Sequence, residues 1–222
     1  MTPERFGKLK RALERRQPDL TVLADGVNKP HNVSAILRTC DAVGIHRLHA
    51  VSPEGPIRRH HMMAGGAKRW VEIKTHASVE DATTELRAHG WRLAAAHAEH
   101  GARDFRDVDY TERVAIVLGA ELYGPSEQAL AQADFSIRIP MHGLAESLNV
   151  SVAAAVILFE AERQRREAGL YDRSRLDPEE FERTLFEWAY PVIARRCRQR
   201  NVAYPPLSKD GALLGNPLAR GV

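Results

Sequence analysis

The middle of the chain alternates short apolar, β-branched runs with stretches whose apolar residues recur at the spacing of a helix. The apolar runs predict strands at Asp19–Ala24, Arg47–Ser52, Trp70–His76, Trp91–His97, Val114–Gly119 and Phe135–Met141. The helical spacing predicts helices at Asn32–Val43, Val79–His89, Ser126–Ala133 and Leu148–Ala168. Strands that alternate with helices indicate a parallel sheet covered by helices on both faces, which is an α/β domain.

The two ends of the chain have a different pattern. Residues 1–16 and 178–200 show helical spacing, and the stretch from Tyr204 onward is rich in proline and glycine, which predicts a loosely ordered tail. We therefore expect a basic helical arm over residues 1–18, an α/β domain over residues 19–168 and a basic extension over residues 169–222.

Composition excludes several classes of protein. The 222 residues are 44% hydrophobic and 27% charged, which suits one globular domain with short appendages. No apolar run reaches the roughly 18 residues of a membrane span, and the charged amino end does not resemble a signal peptide, so we expect a cytoplasmic protein. Cys40 and Cys197 lack the spacing of a metal site or a disulfide framework, and we expect no metal.

Positive charge is concentrated at the two ends of the chain. The net charge is only +3, but lysine and arginine outnumber acids over residues 1–16, and residues 195–200 contain four arginines (Arg195, Arg196, Arg198 and Arg200) and no acid. Such clusters suit a polyanionic partner, and a solvated helix face explains either cluster alone about equally well.

The first stretch that can carry chemistry runs from Lys29 to Gly44. Pro30 and Asn32 suit the start of a helix, Gly44 suits its end, and the apolar residues between them form one stripe toward the core. Arg38 lies nearly opposite that stripe. From spacing alone, a solvated helix arginine is the favoured interpretation.

The second stretch, Ala115–Gly124, is a buried strand that runs into a turn bounded by glycines. Gly119 could allow the backbone to approach a ligand closely, and Glu121 would stand at the carboxyl end of the strand. An ordinary strand-to-helix turn explains the glycines equally well.

The third stretch, Ile139–Ser151, leads into an apolar helix. Ser147 and Asn149 stand at the amino end of that helix, where they can hold a polar ligand or cap the helix. No GxGxxG follows a strand and no GxxxxGK[ST] occurs, which argues against a Rossmann dinucleotide site and a P-loop.

In this order, the three stretches resemble the three motifs of the SpoU/TrmH branch of the SPOUT superfamily of RNA methyltransferases. The resemblance covers nearly the whole chain and includes Gln17–Thr21, Asp104–Arg106, Asp109–Thr111 and Ala189–Val192. It implies a homodimer in which the carboxyl segment of each α/β domain forms a deep trefoil knot. It also implies S-adenosylmethionine as methyl donor and 2′-O-methylation of guanosine 18 in the D-loop of tRNA, with no DNA or membrane partner.

The resemblance also assigns residues to roles. It implies a catalytic set of Asn32, Arg38, Glu121, Ser147 and Asn149. It implies cofactor-binding loops at Ala96, Leu118, Gly119, Ile139, Met141 and Leu148, with a backbone contact expected at Ala96, where relatives often carry threonine. For RNA contact we choose basic residues of the arm and of the stretch after the buried helix, namely Arg5, Lys8, Arg11, Arg163, Arg165 and Arg173.

Two chemical roles stay open for Arg38 within this resemblance. It would contact the ribose and its phosphate, either as the general base or as a cation that stabilises developing alkoxide charge. A guanidinium has a pKa above about 12, so its deprotonation is very costly. Asn32, Ser147 and Asn149 would hold the arrangement, and Glu121 would orient its neighbours.

Other functions also stay open. A sibling that methylates ribosomal RNA usually carries a separate RNA-binding domain, and the sibling acting at the tRNA wobble position usually lacks the extended tail. A non-catalytic RNA-binding protein of the same fold would have lost the motif residues. A nucleotide-dependent α/β enzyme of another class would bind NAD in place of S-adenosylmethionine.

Overall fold

The computed structural model describes residues 1–52, 69–99, 101–120 and 123–215, which form two compact units. The central unit is Gln17–Leu170. The terminal unit combines Met1–Arg16 with the chain from Tyr171. No helix among the described residues is long and apolar enough to span a lipid bilayer.

A seven-stranded sheet forms the middle of the central unit. Its strands are β1 (Leu20–Ala24), β2 (Arg47–Val51), β3 (Glu72–His76), β4 (Arg92–Ala96), β5 (Arg103–Asp104), β6 (Val114–Leu118) and β7 (Phe135–Arg138). They lie in the order β3-β2-β1-β6-β4-β7-β5, and all neighbouring pairs are parallel. The predicted α/β class with a parallel sheet is confirmed. The sequence pattern missed β5 because two polar residues give no apolar run.

Two hydrophobic clusters cover the two faces of the sheet. The helices of the central unit are α2 (Pro30–Ala42), α3 (Val79–Ala88), α4 (Glu127–Gln132) and α5 (Val150–Glu167). Val22 of β1 belongs to the cluster that contains the apolar residues of α2 and α5, and the next residue, Leu23, belongs to the cluster of α3 and α4. Because successive strand residues point to opposite faces, α2 with α5 and α3 with α4 cover opposite sides of the sheet.

The helix α2 follows the predicted pattern closely. Cys40 is fully buried with the other apolar residues of its stripe, and Arg38 is exposed. Gly44 follows the helix with a φ of +82°, a conformation that glycine adopts at low cost. The helix begins at Pro30, two residues before the predicted start. Asn32 therefore lies inside the first turn, and its side chain is buried.

In the terminal unit, the helical patterns of both ends are confirmed. Its helices are α1 (Pro3–Glu14), α6 (Pro178–Ala189) and α7 (Pro191–Gln199). The pattern predicted over residues 178–200 divides at Pro191, because proline has no backbone N–H to continue the hydrogen bonds of α6 and suits the first position of a new helix.

The described part of the tail, residues 204–215, makes more specific contacts than its proline and glycine content predicted. The ring of Tyr204 stacks on Phe186 with 4.6 Å between centroids, and the Tyr190 hydroxyl donates to the carbonyl oxygen of Gly211 at 2.7 Å. The backbone at Gly211 has a φ of +79°, and a Cβ there would overlap the ring of Phe6. Contacts with specific aromatic rings therefore hold this segment, which sequence spacing could not show.

One predicted RNA contact is contradicted by the structure of α5. Arg165 has 0% exposure and donates hydrogen bonds at 2.6–3.0 Å to backbone oxygens of Tyr110, Asp19 and Glu112 and to the side chains of Asp19 and Gln17. A guanidinium enclosed in this way cannot reach a phosphate. Arg165 is a core residue that joins α5 to the starts of β1 and β6, and it leaves the RNA-contact set.

Two buried histidines form a pair between β2 and β3. Nδ1 of His49 lies 2.8 Å from Nε2 of His76, and the two rings stack with 5.1 Å between centroids. Burial, together with the neighbouring charge of His76, lowers the pKa of His49 to about 4, and burial lowers the pKa of His76 as well. The folded chain therefore favours the neutral form of both rings.

We expect the free energy of unfolding to fall as the pH drops from 6.5 to about 4. In this window the unfolded chain binds a proton at His49 that the folded chain does not bind, so acid favours unfolding. The full loss from His49 is about 3 kcal/mol. Urea denaturation across this range would measure it, with His49→Gln as the reference; a parent as insensitive to pH as that variant would contradict the prediction.

Candidate active site

A cavity of about 380 Å³ opens at the carboxyl ends of β4, β6 and β7. These strands are neighbours in the sheet, and parallel strands place their carboxyl ends at one edge, where ligands bind in open α/β sheets. The residues assigned to the cofactor from the resemblance all line this cavity, namely Ala96, Leu118, Gly119, Ile139, Met141 and Leu148. The predicted cofactor-binding residues, which are far apart in the sequence, therefore lie together around one cavity.

The lack of a side chain at Gly119 serves the turn that follows β6. A Cβ on Gly119 would overlap the backbone of Gly124 and Pro125. The turn closes with a hydrogen bond of 2.8 Å from the Gly124 N–H to the Ala120 carbonyl oxygen. The structure therefore supports the interpretation of Gly119 as part of an ordinary turn, and its contact with a ligand stays a prediction.

An amide pair connects α2 to the amino end of α5. Nδ2 of Asn149 donates to Oδ1 of the buried Asn32 at 3.3 Å. Asn149 is also the N-cap of α5, because its Oδ1 accepts from the backbone N–H of Ser151 at 2.9 Å. The capping interpretation holds for Asn149, and the same side chain fixes the position of Asn32.

The other members of the predicted catalytic set are placed differently. Ser147 is exposed and lines the cavity. Arg38 is exposed on α2, and no hydrogen bond or ion pair joins it to another residue within the described parts of the chain. Glu121 lies outside the described residues.

Sequence reasoning missed several polar side chains of the cavity. These are His97, Tyr123, Arg138 and Glu146. His97 directly follows β4, and Arg138 is the last residue of β7. Their positions at the carboxyl ends of strands are a signal that could have identified them.

The remaining basic residues chosen for RNA contact are at the surface. Arg5, Lys8 and Arg11 are exposed on α1, and Arg173 is exposed after α5. Arg163 forms ion pairs of 2.7 Å with Glu160 and with Glu167, so its charge is already neutralised in part.

Comparison with known proteins identifies the relatives of this chain. The SpoU rRNA Methylase family matches residues 19–159, and the SpoU rRNA methylase C-terminal family matches residues 163–216. The tRNA (guanosine(18)-2'-O)-methyltransferase of Thermus thermophilus is 53% identical over 187 residues, which are 84% of this chain and 96% of the relative.

Solved structures agree with this relationship. The crystal structure of the A. aeolicus TrmH/SpoU tRNA modifying enzyme has a TM-score of 0.77 and 41% identity, covering 86% of this chain and 97% of that one. The SpoU methyltransferase AviRb from Streptomyces viridochromogenes, in complex with the cofactor AdoMet, has a TM-score of 0.58 and 28% identity, covering 69% of this chain and 62% of that one. The chain belongs to the SpoU methylase family.

Proposed function

We propose that this chain transfers the methyl group of S-adenosylmethionine to the 2′-hydroxyl of guanosine 18 in the D-loop of cytoplasmic tRNA. The observation that carries this proposal is the cavity at the carboxyl ends of β4, β6 and β7, where the positions assigned to the cofactor converge beside Ser147. A tRNA (guanosine(18)-2'-O)-methyltransferase that is 53% identical to this chain supports the choice of substrate.

The cavity fits the methyl donor in size and in character. Its volume of about 380 Å³ lies within the usual range of ligand sites, roughly 300–1,000 Å³. Strand ends and loops form its wall, so backbone groups near Ala96, Leu118 and Ile139 would hold the ligand. We propose that these loops belong to the trefoil knot. S-adenosylmethionine supplies an electrophilic methyl group on a sulfonium.

The chain's own residues would position the ribose and stabilise its charge. Arg38 is exposed and has no ion pair with another residue in the described ranges, so its guanidinium is available to a phosphate and to a developing alkoxide. The hydrogen bond between Asn149 and Asn32 ties the helix of Arg38 to the amino end of α5, which borders the cavity. Ser147 would bind at the same edge, and we propose Glu121 as an orienting group.

A second copy of the chain would complete this arrangement. Val152 and Phe159 lie on one face of α5, seven positions apart, and are 47% and 51% exposed. Exposed apolar stripes of this kind mark protein interfaces. We propose that α5 forms the interface of a homodimer; sedimentation of the purified chain as a monomer would contradict this.

The tRNA would contact basic residues outside the cavity. Arg5, Lys8, Arg11 and Arg173 are exposed and belong to the terminal unit, which we propose as the RNA-binding part of the chain. Arg163 is a weaker candidate because of its ion pairs. If the four exposed residues bind phosphates, each replacement weakens tRNA binding. It also lowers the slope of log K against log salt concentration by about one.

The decisive experiment is transfer of labelled methyl groups to an unmodified tRNA transcript. A 2′-O-methyl group blocks alkaline cleavage, so we expect one alkali-resistant linkage, at guanosine 18. A transcript with 2′-deoxyguanosine at that position is the matched control and should accept no label. Label on a base or at the wobble position would overturn the proposal, and so would label on ribosomal RNA offered in a parallel reaction with none on the tRNA.

A further inference from the structure

Tyr123 combines two properties that rarely occur together in an aromatic residue. Its side chain lines the cavity, yet it is 83% exposed. No hydrogen bond or ring contact joins it to another residue that the structure describes. A large aromatic ring is usually buried in a core or an interface, so this ring has surface available for a partner.

The turn that carries Tyr123 is held firmly on its carboxyl side. Gly124 donates its N–H to Ala120 at 2.8 Å, and its backbone packs directly against Gly119. Two residues further on, the N–H of Ser126 donates to Oδ2 of the buried Asp25 at 2.7 Å. The ring therefore projects from an anchored turn at the mouth of the cavity.

The reaction places a nucleobase close to that mouth. For methyl transfer, the ribose 2′-hydroxyl must enter the cavity, and the attached base then lies outside it or at its rim. A base taken out of its stack loses stacking energy, and RNA-binding proteins restore this energy with aromatic side chains. The exposed ring of Tyr123 beside the cavity is available for such a contact.

We propose that Tyr123 stacks on the base of the target nucleotide and so positions its ribose over the cavity. This inference rests on the proposed function. The methyl donor is a less suitable partner for the ring, because a side chain that is 83% exposed is not packed against the interior of the cavity. The stack contributes to binding of tRNA and leaves binding of the methyl donor unchanged.

Two substitutions of Tyr123 distinguish the effect of the aromatic face from the effect of side-chain size. Tyr123→Leu removes the aromatic face, and we expect kcat/KM for tRNA to fall about 5- to 150-fold, as for the loss of one base–aromatic stack. Tyr123→Phe keeps the face and should stay within about twofold of the parent. Leu144→Ala is the control for the loss of an exposed apolar side chain, because Leu144 is fully exposed but does not line the cavity.

A fluorescent base gives a readout that is independent of turnover. With 2-aminopurine in place of the target guanine, stacking on Tyr123 quenches the fluorescence in complexes with the parent and with Tyr123→Phe, and the quenching is lost with Tyr123→Leu. Calorimetry should give the same Kd for S-adenosylmethionine in all variants.

Several outcomes would overturn the inference. A parent-like kcat/KM and quenching in Tyr123→Leu would exclude stacking on the base. A raised Kd for S-adenosylmethionine alone would assign the ring to the methyl donor, and a changed sedimentation coefficient would assign it to a subunit contact. A parent that methylates no tRNA would refute the proposed function first, so the two failures are distinguishable.

Discussion

Replacing Arg38 by alanine is expected to lower the single-turnover rate of ribose methylation about 10²- to 10³-fold, the usual loss when one group that stabilises a developing oxyanion is removed. The guanidinium is exposed and makes no ion pair with the described residues, so little folding energy depends on it. The free energy of unfolding should therefore change by less than about 0.5 kcal/mol. Rapid-quench methylation at saturating tRNA and urea denaturation of the same preparations would measure the two effects.

A lysine at the same position distinguishes the two chemical roles. Lysine keeps the positive charge but loses the planar fork that binds a phosphate with two hydrogen bonds. If Arg38 acts as a cation, Arg38→Lys is slower but keeps the shape of the pH–rate profile. If Arg38 acts as the base, the profile moves to lower pH, because lysine has an ordinary pKa of about 10.4. A near-normal rate with an unchanged profile would contradict both roles.

The sequence predicted the layers of the central unit because its apolar pattern is unambiguous there. The short apolar runs predicted the bounds of β1, β2, β4 and β6 to within two residues at either end. The two residues of β5 were missed, since so short a polar segment has no periodicity. The order of the strands in the sheet could not be predicted either. In the structure β6 lies between β1 and β4, and no local spacing of apolar residues encodes this arrangement.

The composition of the candidate site could be inferred only through the resemblance to a family. Spacing alone gave Asn32, Arg38 and Asn149 ordinary explanations, and two of these are partly correct: Asn149 caps α5, and Arg38 is a solvated helix residue. The structure adds the contact between Asn32 and Asn149, which joins positions 117 residues apart. It also adds Tyr123 at the cavity mouth, since exposure beside a cavity depends on the folded turn.

The prediction that Arg165 contacts RNA was wrong, and the sequence pattern already indicated a buried position for this residue. Ala154, Leu158, Ala161 and Arg165 lie at helical spacing on the buried stripe of α5, so the arginine occupies a core position. Asp19, next to the first buried strand, is the acid that pairs with it at 2.6 Å. A basic residue that continues an apolar stripe predicts an internal ion pair more strongly than it predicts an RNA contact.

Replacing Arg165 by alanine is accordingly expected to lower the free energy of unfolding by about 3–5 kcal/mol, because it removes the buried guanidinium that pairs with the Asp19 carboxylate. The backbone oxygens of Tyr110 and Glu112 also lose their donor. Urea denaturation would measure this loss.

Arg163→Ala is the matched control on the same helix. The Arg163 side chain is 46% exposed and forms ion pairs with Glu160 and Glu167, so its removal should lower stability much less than removal of Arg165. At a temperature where Arg165→Ala is still folded, its tRNA binding should keep the salt dependence of the parent, because a buried guanidinium releases no counterions from phosphate. Equal stability losses in the two variants, or a reduced salt dependence in Arg165→Ala, would contradict the internal role of Arg165.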